Sequence, residues 1–502
     1  MDRRTFLQAI GLGGLATLNS GMLLDALGSA PEGAFMPATA ETRNPAAHVA
    51  NRLAFGMTPA LFDALGGADT AAINNWIAEQ LQPERIDDSA TDRMLEAFPL
   101  ISERGGDLAR DKQGMLGEVL TDLIGASVTR ARYTERQLFE RMVHFWSDHF
   151  SIYVRKGPTG FFKVDDDRDA IRPNALRTFR DLLHASATSP AMLYYLDNAL
   201  SRNQAPNENY SRELLELHTL GVGGGYTEDD VKAVARCFTG WSITSGRDEA
   251  EPGRFIFRPR AHDNGEKVVL GETINTGGIG DGQRVLDMLS VHPSTARFVS
   301  TKLARRFVSD DPPADLVDRL ATVFLDTGGD IIEIMNALLA DDAFWNAPPK
   351  FKRPFEYMMG GLRALDYQTR APMMLMRVVG EPLQAMGHVP FHWPAPDGYP
   401  DVASYWMGNL LPRWNLAIAM VLPQRQGGPN FDALTARVEA RGLLNDSAAT
   451  LAFLGEYLYG RPLTDAEFST VQTFAAGISS EPSERLIAAL TLMMAAPAYQ
   501  YK

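Results

Sequence analysis

The chain has one cysteine, Cys237, among 502 residues, so no internal disulfide can form. No run of Lys and Arg is present and the formal net charge is −14. Both features argue against a general nucleic-acid binder, which needs a basic stripe to neutralise phosphates. Beyond the amino-terminal segment, no uninterrupted apolar stretch reaches the roughly 18 residues of a membrane helix, so no integral span is expected in the mature chain. Four chemical motifs are also missing: the HExxH zinc helix, the GxSxG nucleophile elbow, the GxxxxGK[ST] phosphate loop and the CxxCH haem attachment. Gly223 to Gly225 follow a helical pattern, whereas a dinucleotide fingerprint must follow a strand and open a helix.

What is present is a composition of 45% hydrophobic and 22% charged residues, which suits a soluble globular protein with a sizeable core. Arg3, Arg4, Thr5, Phe6 and Leu7, followed by the short apolar stretch Ala9 to Leu18, resemble a twin-arginine export signal. The expected division is a signal over 1–30, a Pro/Ala-rich linker over 31–45, a helical core over 46–425 and a C-terminal helical lobe over 430–502, after the break at Gly427 to Pro429. Small residues at Gly28 and Ala30, or at Ala38 and Ala40, offer two cleavage points. The resulting expectation is a periplasmic or secreted protein exported in the folded state. Cys237 falls in an apolar helical pattern with Val234 and Phe238 and reads as a small core residue.

The fold class expected is mainly α: a multi-helix globular body with a small β-hairpin insertion around 240–282. Start signals stand at Thr227 with Asp230, at Asp330 with Glu333 and at Thr464 with Glu467. Pro293 opens a helix running to about Val308; Pro312 and Pro313 stop it and open the next, which ends at Gly328. Arg254 to Arg258 and Lys267 to Leu270 read as two short strands, with Asn264 and Gly265 as the tight turn between them.

Candidate chemistry gathers in three places. On the helical segment Thr134 to Phe150, residues three or four apart share a face, so Glu140, His144 and Asp148 form one stripe while His149 points elsewhere. Unwinding of the last turn would bring Asp148 and His149 together as an oriented base or as ligands for zinc, manganese or iron. The bland alternative has His144 bonded to Glu140 or Asp148 and His149 capping the helix. The second place is Asn207 to Gly225, with Glu208, Glu213, Glu216 and His218 interleaved with leucines. Asn207 or Asn209 is expected to cap this helix, and Arg212 to pair with Glu216. Glu208 and Glu213 remain as acids for acid/base work. Because His218 lies roughly 160° from Glu216 on a regular helix, one helix cannot aim Glu213, Glu216 and His218 at one ion. The third place is His262 and Asp263, readable either as ligands or as a turn holding its own backbone. His388 and His392 stand in an aromatic, proline-rich loop that either walls a cleft or covers the core.

The run NENYSRELLELHTLG from Asn207 resembles the signature of the bacterial domain-of-unknown-function 1800 family. Further blocks match in order: HVANRLAFGMTP from His48, HFWSDHF from His144, GGYTEDDVKAVARCFTGW from Gly224, HDNGEKVVLG from His262, HPSTARFVSTKLARRFV from His292, KRPFEYMMGGLRAL from Lys352 and MGHVPFHWPAPDGYP from Met386. Many members are expected to carry a histidine where this chain has Ser147, so a ligand role does not carry over to that position. The resemblance implies no established activity, and it implies company with a second twin-arginine-exported family, alongside the translocase itself.

Two functional readings follow. In the first, His149, Asp148, Glu213, His218, His262 and Asp263 hold a divalent metal ion, with Glu208, Glu213 and His149 as catalytic groups in hydrolysis or oxidation of an envelope or extracellular substrate. In the second, the same polar residues form a buried structural network in a non-catalytic envelope protein that binds a polysaccharide or another exported protein.

Overall fold

The computed structural model describes residue 15 and residues 18–245, 251–369, 372–421 and 432–502. The paired arginines and the Gly427 to Pro429 break lie outside the described residues. Among the described residues helix makes up 64% and strand 4%, so the body is built by helix packing and the strands are local additions.

The helices begin where their caps dictate. Thr227 and Asp230 close a reciprocal capping box at Glu228–Cys237, and Thr464 and Glu467 do the same at Asp465–Ile478. Asp330 accepts the N–H groups of Ile332 and Glu333 at 2.9 and 3.1 Å. Pro293 opens the helix Pro293–Phe307, and Ala314–Thr327 ends at Gly328 in the left-handed region, at φ 68°. Cys237 is buried in the core, and burial pushes its thiol up to about 12.

The β pieces differ from the expected hairpin. The strands β1 (Trp241–Ile243) and β2 (Phe255–Phe257) pair antiparallel, as do β3 (Lys267–Val269) and β4 (Glu272–Ile274). The two segments expected to face each other thus belong to different sheets. Leu270 and Gly271, at φ 49° and 81°, make the two-residue connection between β3 and β4. The Asn264–Gly265 turn is instead held by Asp263, whose carboxylate accepts the Gly265 N–H at 2.8 Å.

Two large apolar cores organise the rest. One draws on residues 46–347; the other joins Leu18, Leu23 and Phe35 to residues from the helices Leu116–Tyr133 and Pro354–Ala364 and to 434–499. Residues 430–502, expected as a lobe, therefore contribute Val438, Leu454 and Met494 to the same cluster as Tyr357 and Met420. The expected linker is tied down as well: the Phe35 N–H donates to Glu467 at 2.6 Å, and Arg461 donates to the Met36 carbonyl at 2.6 Å.

Candidate functional site

The helix Gln137–His149 is apolar on Leu138, Met142, Phe145 and Trp146, so its charged residues are carried into protein rather than water. Each finds a partner. Glu140 accepts from Arg172 at 2.8 Å through both oxygens. The His144 Nε2 lies 3.2 Å from Ser127 Oγ and 3.6 Å from Glu140. Asp148 meets Arg353 at 2.7 Å and Arg306 at 3.1 Å. The helix stays regular through His149, so Asp148 and His149 leave on different faces and the expected juxtaposition does not form.

Around Asp148 lies a buried ion cluster assembled from distant segments. Arg306 also meets Asp401 at 2.8 Å. Glu356 receives Arg141 at 2.8 Å, Lys502 at 2.5 Å and the Arg353 backbone N–H at 3.0 Å. Burial pushes the Glu356 carboxyl upward, but Lys502, Arg141, Arg353 and Arg306 outweigh it and hold the group well below the usual carboxylate range. Beside the cluster is a void of about 20 Å³ lined by His144, Ser147, Asp148, His388 and Tyr399, room for about one water. Ser147 Oγ is buried without a hydrogen-bond partner. His388 stacks on Trp406 with ring centroids 5.0 Å apart and its Nδ1 accepts the Phe355 N–H at 3.3 Å, so this part of the proline-rich loop covers the core. Burial, with Arg172 and Arg353 nearby, holds His144 well below its ordinary value, and burial with Arg353 does the same for His388; both imidazoles are neutral.

In the second place, Asn207 caps Glu208–Glu213 by accepting the Asn209 N–H at 2.9 Å. The chain then widens into a π-helical turn, Leu214–Thr219, closed by Leu220 N–H to Leu215 O at 2.8 Å. This turn puts His218 among Phe150 and His149 while Glu213 stays half-buried near the surface. His149 Nε2 is 3.0 Å from the His218 carbonyl, and the two rings are 6.3 Å apart. Burial, then Lys302, pushes His218 down to about 3 and lowers His149 well below its ordinary value. His149 Nδ1 and His218 Nε2 have no hydrogen-bond partner. Arg212 pairs with Glu228 at 2.6 Å and stands 3.6 Å from Glu208; it does not pair with Glu216, which accepts from the Tyr226 hydroxyl at 3.2 Å. Glu213, like Glu216, has no cation in ion-pair contact among the described residues, and burial, then Glu216, raises its carboxyl.

His262 and Asp263 close their own local structure. His262 Nδ1 is 2.8 Å from the Thr239 carbonyl and its Nε2 3.2 Å from Asp281, which also takes Lys267 at 2.5 Å. Asp263 grips Arg236 at 2.7 and 3.2 Å. The six residues expected as metal ligands therefore fall at four separate points: Asp148 in the ion cluster, His149 with His218, Glu213 near the surface, and His262 with Asp263. Their carboxylates, Glu213 apart, face arginines. Among the described residues no three His, Cys, Asp or Glu side chains are grouped so as to hold a metal ion, so the expected ligand set does not fit one.

The family pattern described as "Protein of unknown function (DUF1800)" matches residues 48–501. The chain belongs to that family. No curated protein and no solved structure matches it.

In this DUF1800 member the blocks HFWSDHF, HPSTARFVSTKLARRFV and KRPFEYMMGG meet at the ion cluster rather than at the NENY run. Sequence reasoning missed Arg306, Arg353, Glu356, Asp401 and Lys502 as a unit. A signal for one was present: Arg306 stands in the buried stripe Val299, Leu303, Phe307, where an arginine must find an acid. Nothing in the sequence named Asp148 as that acid.

Proposed function

We propose that this is an exported, non-catalytic binding or assembly protein of the bacterial envelope, in which the polar family residues form a structural network. The observation that carries this reading is the fate of the expected site: the acids Asp148, Glu208 and Asp263 stand against arginines, and the histidines are buried. Arg3, Arg4, Phe6 and Leu7 support twin-arginine export, and a folded body with no nucleophile elbow or phosphate loop suits a partner role beside another exported protein.

A metal-assisted hydrolase or oxidase is the second reading. The unpartnered nitrogens His149 Nδ1 and His218 Nε2 favour it. Against it, the Lys302 ammonium bears on both rings and opposes a second cation there. Elemental analysis of protein purified without chelators separates the two. We expect no stoichiometric transition metal, and a His149→Ala variant that is only less stable. One metal per chain, lost in a folded His149→Ala variant, would overturn the proposal.

A further inference from the structure

We infer that the cleft between the π-helical turn Asp166–Ile171 and strand β2 is a binding site for a neutral oligosaccharide. This deepens the non-catalytic reading by naming a ligand class. The cleft has a volume of about 410 Å³, within the roughly 300–1,000 Å³ of small-molecule sites. Its floor is Asp165, Asp166 and the π turn. One wall is the junction of Phe179–Thr188 and Pro190–Tyr195, and the other is Arg104 with Gly253 to Phe255.

Charge selects the ligand first. Among the described residues the lining charges are compensated, Arg168 by Asp165 and Asp169, Arg104 and Arg254 by Glu251, and Asp166 by Lys163, so the cleft favours neither a polyanion nor a polycation. The chain's net −14 further disfavours acidic polymers. More of the lining is polar than apolar, which excludes a lipid tail.

The polar groups are also fixed in advance. Asp166 is held between Lys163 at 2.5 Å and Ser189 at 2.6 Å. Asp165 accepts the Gly105 N–H at 2.9 Å and Arg168 at 2.7 Å, while Arg168 donates to the carbonyls of Ile101 and Glu103 at 3.1 and 2.9 Å. All five N–H groups of Arg168 are used, by Asp165, Asp169 and the two carbonyls, so it is the carboxylate lone pairs and the N–H groups left on Arg104 and Arg254 that suit hydroxyls, which both donate and accept. Phe255, half-buried at the wall, offers a ring for the C–H face of a sugar.

An extended peptide fits less well because it needs free backbone groups. Three of the four at Gly253 and Arg254 are used: Gly253 N–H donates to Thr244 O at 3.0 Å, Arg254 O accepts from Thr244 N–H at 2.8 Å, and Arg254 N–H donates to Thr244 Oγ1 at 2.8 Å. The wall is seated by glycine: a Cβ on Gly106 would come within 1.9 Å of the Pro252 carbonyl.

Calorimetric titration of the full mature chain with maltotriose, cellotriose and triacetylchitotriose tests this. At least one should bind with a Kd of about 1 mM or tighter. Arg254→Ala, at a half-exposed position, should weaken it about tenfold or more without moving the melting temperature, since a hydrogen bond to a charged group is lost. Gly106→Ala should also weaken it, by displacing the wall. No binding by any of the three, unchanged binding in Arg254→Ala, or preference for trigalacturonate or a peptide pool would overturn the inference. Failure here in metal-free protein leaves the non-catalytic reading standing, whereas a stoichiometric metal overturns that reading without touching the cleft.

Discussion

At the scale of single residues, the chain spends its charged side chains on one another inside the protein. A buried ion pair adds little over an apolar pair, but removing one partner leaves an uncompensated charge. Glu356→Gln leaves Arg141 and Lys502 facing a neutral amide, and should cost about 3–5 kcal/mol in urea unfolding. A loss within the noise would show that the cluster does not hold the fold. His218 gives a pH signature. Its folded value of about 3 lies below the unfolded value of about 6.5, so between those limits the unfolded chain binds the extra proton. Its contribution to stability is full above about pH 6.5 and is lost as pH falls towards 3. His218→Gln should therefore flatten the fall in urea midpoint between pH 7 and pH 4 relative to the unaltered chain. Parallel curves would mean that His218 is not buried neutral.

At the scale of elements, what was legible in the sequence was local. Caps at Thr227, Asp330 and Thr464 and the proline and glycine stops are set within four residues, and the helices begin and end there. Asp330→Ala should accordingly cost about 1 kcal/mol, within the range for a lost cap, as read by thermal or urea unfolding. No loss would show that the two N–H groups find water or another acceptor. The strand pairing was not legible, because β1 and β4 are three residues each and no alternation of that length stands out. The π turn at Leu214–Thr219 was invisible for a related reason: periodicity counts residues per turn as constant, and here one turn is wider. That is why His218 reaches the core beside His149 while Glu213 stays outside.

At the scale of the whole molecule, the ion cluster draws on residues near 148, 306, 356, 401 and 502, separations no local window spans. The sequence therefore marked segments that matter without telling which side chains meet. His149 and His218 do come together, as two of the expected residues, but without the acids that would complete a ligand set. The Ser20–Gly28 helix and Phe35 pack into the second core, and Glu467 and Arg461 grip the segment between them and the family region.

On the non-catalytic reading, the polar family residues satisfy one another within the fold without a bound metal ion. The most direct measurement is the melting temperature of the purified chain before and after exhaustive dialysis against a strong chelator, followed by one equivalent of zinc, manganese or iron. An unchanged melting temperature throughout is the expected result. A fall on chelation that one equivalent of metal restores would contradict it, because a ligand bound to the native state alone must stabilise it.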